Sequence, residues 1–142
     1  MKRTLMLLAL VLAVLPARRA QAQDFKVVVN ASVPVDEIAR SELSKIFQKK
    51  ARKIAGVDAE PVDLDKDSPV REAFSQAVHG RGVSAIESYW QQQIFSGKAV
   101  PPDQKKTDAE VFEWVKAHPG GIGYVSAGAT PPDGVKVITV SG

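Results

Sequence analysis

The sequence predicts an α/β fold, in which helices cover a mixed β-sheet. Two runs rich in β-branched residues, 25–30 and 135–140, have the composition of strands and lie near the two ends of the folded part. Between them, most apolar residues recur at the three- and four-residue spacing of amphipathic helices. The segments follow in the order β-α-β-α-α-α-β-β, and such alternation is typical of a sheet with helices packed against it.

The first segment, residues 1–22, has the features of a secretory signal peptide. It begins with a basic Met-Lys-Arg, continues with an apolar run over residues 5–15 that is too short to cross a bilayer, and ends with Ala-Gln-Ala at residues 20–22. We therefore expect export to the periplasm, followed by cleavage. A single domain over residues 23–142 would remain, with no membrane insertion.

Charge and composition exclude several classes of function. The whole chain has 19 Lys and Arg residues against 16 Asp and Glu residues, a net charge of +3. Four of the basic residues and none of the acidic ones lie in residues 1–22, which leaves 15 against 16 and a net charge of −1. A near-neutral domain gives no indication of nucleic-acid binding. The absence of cysteine excludes disulfides and thiolate metal sites.

The first half of the domain predicts two strands with a helix between them. Residues 25–30 show little alternation, which predicts a strand buried on both faces. Residues 36–47 predict a helix, and the basic run over residues 45–53 is either its solvated end or a surface for an acidic partner or for phosphate. Residues 59–64 predict a strand in which Pro61 lies at a sheet edge or at the strand start. The apolar face of the helix consists of Ala39, Leu43, Ile46 and Phe47.

The second half predicts three helices and two strands. Residues 69–79 and 84–95 predict helices, and a Thr-x-x-Glu capping box begins a third helix over residues 107–118. Residues 122–125 and 135–140 predict strands, and the glycine inside the first of these suggests a bulge or a close backbone approach. The buried face of the second helix is predicted to consist of Ile86, Trp90 and Ile94.

The helix start at Ser68 is the strongest candidate for a ligand site. Ser68 can cap the helix and Pro69 suits its first position, where the free N–H groups carry about half a positive charge. Arg71 adds a guanidinium, so the pattern fits a small oxyanion, although an ordinary capped helix remains the alternative. Asn30 and Ser32 follow the first strand and are further ligand-binding candidates. Local backbone bonding is the alternative for both.

The sequence contains no pattern that indicates an enzyme. Neither a Gly-x-Ser-x-Gly nucleophile motif nor a glycine-rich nucleotide loop occurs. His79 and His118 have no partners at metal-ligand spacing, and each is predicted to satisfy carbonyl groups at a helix end. We therefore predict no catalytic residue, no metal site and no cofactor.

Seven short motifs follow one another along the chain. They are VVVN (27–30), SELSKIF (41–47), SPVREAF (68–74), YW (89–90), IFSGK (94–98), PP (101–102) and PGGIGYV (119–125). In this order they resemble the periplasmic phosphate-binding proteins, the solute receptors of phosphate ABC transporters, and most closely the short members that correspond to one lobe. The resemblance implies a periplasmic-binding-protein-like single lobe with a mixed sheet covered by helices.

The chain differs from the family at the ligand motif. Full-length receptors of this family usually have Ser-Gly-Thr where this chain has Ser68, Pro69 and Val70, and an arginine where it has Leu64. Pro69 lacks a backbone donor and Val70 lacks a hydroxyl, whereas Arg71 could compensate in part.

Two functions remain open on this resemblance. The first is a solute-binding-protein-like domain that binds phosphate or another small oxyanion for an ABC-type uptake system, with a transporter permease as partner. The second is a non-catalytic periplasmic interaction module that has lost its ligand and docks on another envelope protein.

Overall fold

Six strands form one mixed sheet in the computed structural model, which describes residues 24–142. The predicted signal peptide lies outside the described residues. The eight strands are β1 (Phe25–Asn30), β2 (Glu37–Ala39), β3 (Lys53–Ile54), β4 (Val57–Asp58), β5 (Glu60–Leu64), β6 (Asp103–Lys105), β7 (Gly121–Ser126) and β8 (Val135–Ser141). The sheet order is β2-β8-β1-β7-β5-β6, while β3 and β4 form a separate hairpin. Strand β1 is antiparallel to both of its neighbours, and β5 is parallel to β7 and β6.

Four helices pack against this sheet, which confirms the predicted α/β class. They are α1 (Arg40–Phe47), α2 (Pro69–Phe74), α3 (Val83–Phe95) and α4 (Asp108–Ala117). Helix α2 continues without a break as a π-helical segment, Ser75–His79. Within residues 24–142, none of the helices combines the length and the apolar character needed to cross a membrane.

The core lies where the central strands meet the helices. Strand β1 is buried on both faces as predicted, since Val27, Val28 and Val29 are almost fully buried. On β7, a Cβ atom at Gly123 would lie 2.8 Å from Val62 and 2.9 Å from Val111. The glycine therefore lets α4 approach the sheet closely, which confirms the predicted close approach at this position.

The structure corrects the predicted start of the first helix. Residues 37–39 form β2, which pairs in parallel with β8, and α1 begins only at Arg40. The exposed–buried–exposed pattern of β2 buries Ile38 alone, and three residues are too few to show a strand period. The sequence pattern did not predict β6 or the β3–β4 hairpin either, because these strands have only two or three residues each. Pro61 lies at a strand start, one residue before β5 begins to pair with β6.

Two apolar positions assigned to buried helix faces are exposed. Ile86 and Trp90 of α3 are buried, but Ile94 is 53% exposed because the last turn of α3 extends beyond the core. Ala39 belongs to β2 and is also exposed. Thr107 is confirmed as the cap of α4, since its hydroxyl accepts from the Glu110 N–H at 3.2 Å. The Glu110 carboxylate reaches back as predicted, but it accepts from the Lys106 N–H at 3.1 Å and not from that of Thr107.

The basic run ends helix α1 and turns the chain into the hairpin. Lys49 has a φ of 56°, and the two residues between β3 and β4, Ala55 and Gly56, have φ values of 48° and 80°. Positive φ at both central residues is what a two-residue type I′ turn requires. An alanine in this conformation is strained, because its Cβ approaches the backbone carbonyl.

We predict that Ala55→Asn stabilises the domain by about 0.5–1 kcal/mol, because asparagine tolerates the left-handed conformation better than alanine. Urea unfolding of residues 23–142 measures the change. Ala127→Asn is the matched control, since Ala127 is exposed and is not among the positive-φ residues. Equal stability changes in the two variants would contradict the assignment of strain to Ala55.

Candidate functional site

Ser68 lies at the carboxyl end of β5 and caps α2, as predicted. Its Oγ accepts from the Arg71 N–H at 3.4 Å. Its own N–H donates to the Asp65 carbonyl at 2.9 Å and is therefore already used within the turn. The Ser68 hydroxyl hydrogen remains available to a ligand, because the oxygen acts only as the acceptor in the cap.

Arg71 is buried beneath this turn instead of projecting into solvent. Only 3% of the residue is exposed. Its Nη1 donates to the Leu64 carbonyl at 3.2 Å, and its Nη2 donates to Glu87 Oε1 at 3.1 Å. Nη2 also lies 4.0 Å from Asp63 Oδ2. The guanidinium thus joins the end of β5 to α3.

Tyr124 and Asp63 form a second hydrogen-bonded pair in this buried cluster. Tyr124 is fully buried, stacks on Phe74 and donates its hydroxyl to Asp63 Oδ1 at 2.7 Å. The same hydroxyl accepts from the Leu64 N–H at 3.2 Å. Tyr124 therefore holds the Asp63 carboxyl group in place at the end of β5.

Burial dominates the electrostatics of the cluster. It raises the pKa of Asp63 to about 6, although the nearby Arg71 charge and the Tyr124 hydrogen bond favour the carboxylate. Burial, together with the Asp63 charge, also raises the pKa of Tyr124 well above its usual value. The tyrosine hydroxyl consequently stays protonated and remains a donor to Asp63.

The three charged groups differ in their access to solvent. The side chains of Arg71 and Asp63 are 4% and 8% exposed, whereas that of Glu87 is 36% exposed. Glu87 can therefore turn away from the guanidinium into water without opening the core, whereas Asp63 is enclosed on the buried strand β5.

Asn30 and Ser32 do not lie near this cluster. The Asn30 amide donates to the carbonyls of Val115 and His118 at the end of α4, and its oxygen accepts from the Ser32 N–H and hydroxyl. The contacts between the Asn30 oxygen and Ser32 are the local bonding that was expected, whereas the Asn30 amide bonds backbone that lies far along the chain. Because β1 runs antiparallel to β7, while β5 runs parallel to β7, Asn30 lies at the opposite end of the sheet from Ser68. The four candidate residues therefore do not form one site.

The two histidines have different environments. His118 Nδ1 lies 2.6 Å from the Trp114 carbonyl, which confirms the predicted role at a helix end. His79 instead contacts Ser44 Oγ at 2.7 Å and Gln48 Nε2 at 3.3 Å, so its predicted carbonyl contact is wrong. Burial is the main cause that lowers the pKa of His79 to about 4. Among residues 24–142, no three His, Asp or Glu side chains are grouped so that they could hold a metal ion.

Several solved structures that resemble this chain are described as phosphate receptors or phosphate-binding proteins. An ABC-type phosphate transport receptor from Vibrio cholerae superposes with a TM-score of 0.64 at 20% identity, over 82% of this chain and 46% of that one. A putative phosphate ABC transporter substrate-binding protein with bound phosphate from Clostridium perfringens gives 0.63 at 15% identity, over 82% and 44%. PstS from Borrelia burgdorferi gives 0.58 at 17% identity, over 83% and 47%.

These similarities confirm the predicted resemblance at the level of the fold. The chain has a periplasmic-binding-protein-like fold and spans less than half the length of each of these receptors. No protein-family model matches the sequence, and no curated protein matches it either.

Sequence reasoning missed Asp63, Glu87 and Tyr124 as partners of Arg71. One signal was present, because Asp63 stands between Val62 and Leu64 in a strand without other charges after its first residue. A carboxylate in a buried strand requires a hydrogen-bonding or charged partner. Nothing in the sequence spacing identified Arg71 or Tyr124 as that partner.

We predict that the wild-type domain becomes more stable relative to the Asp63→Asn variant as the pH falls from 7 to 5. The raised pKa means that the folded state binds this proton more tightly than the unfolded state does, so the contribution grows on acidification and is lost as the pH rises through about 6. The stability difference between wild type and Asp63→Asn should increase by about 1 kcal/mol over this range.

Urea unfolding at pH 5, 6 and 7 measures this difference. His79, whose lowered pKa acts in the opposite direction, is present in both proteins and cancels in the comparison. Asp103→Asn, on the exposed part of β6, is the control with the same change of charge. If the stability difference between wild type and Asp63→Asn did not change with pH, the pKa of Asp63 would be the same in the folded and unfolded states.

Proposed function

We propose that this chain is a solute-binding-protein-like domain that binds phosphate or another small oxyanion beside Ser68 and Arg71. The observation that carries the proposal is the position of these residues at the carboxyl end of β5, a strand with parallel neighbours on both sides. Ligands of open α/β sheets bind at such strand ends. The fold shared with phosphate receptors supports a solute-binding role.

The hydrogen-bond donors at the carboxyl end of β5 suit a tetrahedral oxyanion. The Ser68 hydroxyl hydrogen is available, and the Val70 N–H lies in the first turn of α2, where it has no acceptor within the helix. The partial positive charge at the N-terminus of α2 strengthens the attraction of both donors for an anion. Pro69 contributes no N–H, so this site offers fewer donors than a Ser-Gly-Thr motif would.

Arg71 supplies the positive charge, and Glu87 competes for it. The Glu87 carboxylate occupies the Nη2 donor at 3.1 Å, which is the place a phosphate oxygen would take. Binding therefore requires the exchange of one anion for another. We expect weak affinity in the wild-type protein, because the gain from the ligand is reduced by the loss of the Glu87 contact.

The biological setting belongs to the same proposal. Residues 1–22 would export the chain to the periplasm, where a domain of this fold would deliver its ligand to an ABC transporter permease. The alternative is an interaction module without a ligand, which docks on another envelope protein. The first prediction below distinguishes the two.

We predict that residues 23–142 bind phosphate with a dissociation constant of about 0.1–1 mM, equivalent to about 4–5.5 kcal/mol. Ser68→Ala should weaken binding by roughly fivefold or more, since it removes a hydroxyl donor. Calorimetric titration with phosphate, and with sulfate for comparison, measures both affinities.

Ser88→Ala is the matched control for this titration, because Ser88 is an exposed serine on α3 whose hydroxyl bonds only within its own helix. Thermal unfolding must show that each variant is folded, since Ser68 also caps α2. No binding heat in the wild type would reject the oxyanion and favour the interaction module. Equal affinities of the two serine variants would place the ligand elsewhere.

We predict that Glu87→Gln binds phosphate roughly tenfold more tightly than wild type, a gain of about 1.4 kcal/mol. The substitution removes the negative charge that competes for Arg71 and keeps the size of the side chain. Glu113→Gln, which removes an exposed charge from α4, controls for the change in net charge. Equal affinities in these two variants would show that Arg71 takes no part in binding. Arg71→Ala is a poorer test, because it leaves Asp63 buried without its cation.

A further inference from the structure

An apolar projection lies at the end of α3, away from the candidate ligand site. Phe95 is 95% exposed, and its neighbours Ile94 and Val100 are 53% and 63% exposed. Gly97, with a φ of 69°, turns the chain directly after Phe95. Phenylalanine is among the residues most often buried, so a side chain that remains this exposed is a candidate for contact with another surface.

Basic residues line a groove at the end of α3. The groove, of about 360 Å³, is lined by Ile94 and Val100 together with Lys49, Arg52 and Lys98, while Phe95, the residue after Ile94, projects into solvent outside its lining. The two other residues that line this groove, Gly97 and Ala99, are uncharged, so no acidic residue faces it. We call the set Ile94, Phe95, Val100, Lys49, Arg52 and Lys98 the Phe95 patch.

The surroundings of the patch leave these positive charges uncompensated. Lys53 is paired with Asp58 at 2.8 Å across the β3–β4 hairpin, so that neighbouring acid is already engaged. Lys50 lies over the Tyr89 ring at 5.3 Å, outside the lining of this groove. The patch thus combines exposed apolar side chains with an excess of positive charge.

We propose that the Phe95 patch attaches the domain to the surface of an anionic lipid bilayer. The cations complement anionic headgroups, and Phe95 can enter the boundary between headgroups and acyl chains. A bilayer accepts a single projecting aromatic side chain without a matching pocket, whereas a protein partner would need one. The long stems of Lys and Arg also let their charges reach headgroups while the apolar atoms lie deeper.

Cosedimentation of residues 23–142 with lipid vesicles tests this attachment. The wild-type protein should bind vesicles of equal parts phosphatidylglycerol and phosphatidylcholine, and should bind pure phosphatidylcholine at least roughly tenfold more weakly. Binding should also decrease as salt is raised, because the headgroup attraction is screened. Residues 1–22 are omitted, since their apolar run would bind lipid by itself.

Two pairs of variants separate the patch from general effects. Phe95→Ser and Lys98→Glu should each weaken binding to the anionic vesicles by roughly tenfold. Val137→Ser and Lys66→Glu make the same chemical changes at exposed positions outside the patch and should bind like wild type. All four positions are exposed, so the variants should fold, and circular dichroism checks this.

Three results would overturn the proposal. The first is no binding of the wild type to anionic vesicles, and the second is equal binding by Phe95→Ser and Val137→Ser. The third is a concentration-dependent mass that Phe95→Ser abolishes while vesicle binding is unchanged, which would make the patch an interface between two copies of the chain. Phosphate titration is independent of all three, so failure here leaves the oxyanion proposal untouched.

Discussion

The burial of one positive charge, that of Arg71, determines how the elements around the candidate site are arranged. A guanidinium taken out of water must be compensated by hydrogen bonds and opposite charge. Leu64 supplies a carbonyl from the end of β5, Glu87 a carboxylate from α3, and Asp63 a second carboxylate from inside β5. Tyr124 of β7 then fixes Asp63. One charge thus connects two strands of the sheet to two helices, and loss of Arg71 would leave Asp63 buried without a cation.

The same charge limits what the site can bind. A ligand at Ser68 meets a guanidinium whose charge is already compensated by two carboxylates, one of them partly exposed to solvent. The structural role of Arg71 and its proposed binding role therefore compete for the same donors. Glu87 decides the balance, because it lies nearer to solvent than Asp63 and can leave the guanidinium without opening the core.

The sequence predicted the long elements well and the charged cluster poorly, for a physical reason. Strand β1 was predicted from its run of β-branched residues and helix α4 from its cap and apolar spacing, and each pattern lies within six to ten residues. Strand β2 has three residues and depends on pairing with β8, about a hundred positions later. Ser68 was correctly assigned as a cap because capping is local. Tyr124 meets Asp63 only in the folded chain, so no spacing rule could reveal their contact.

The proposed ligand position beside Ser68 is partly exposed to solvent. Water there competes with the protein for hydrogen bonds to a ligand, so the charge of the buried groups beneath it, which is screened less, contributes more. Because the pKa of Asp63 is about 6, its partial protonation just below neutral pH reduces the compensation of Arg71. The proton that stabilises the buried cluster would therefore also free positive charge for the proposed oxyanion.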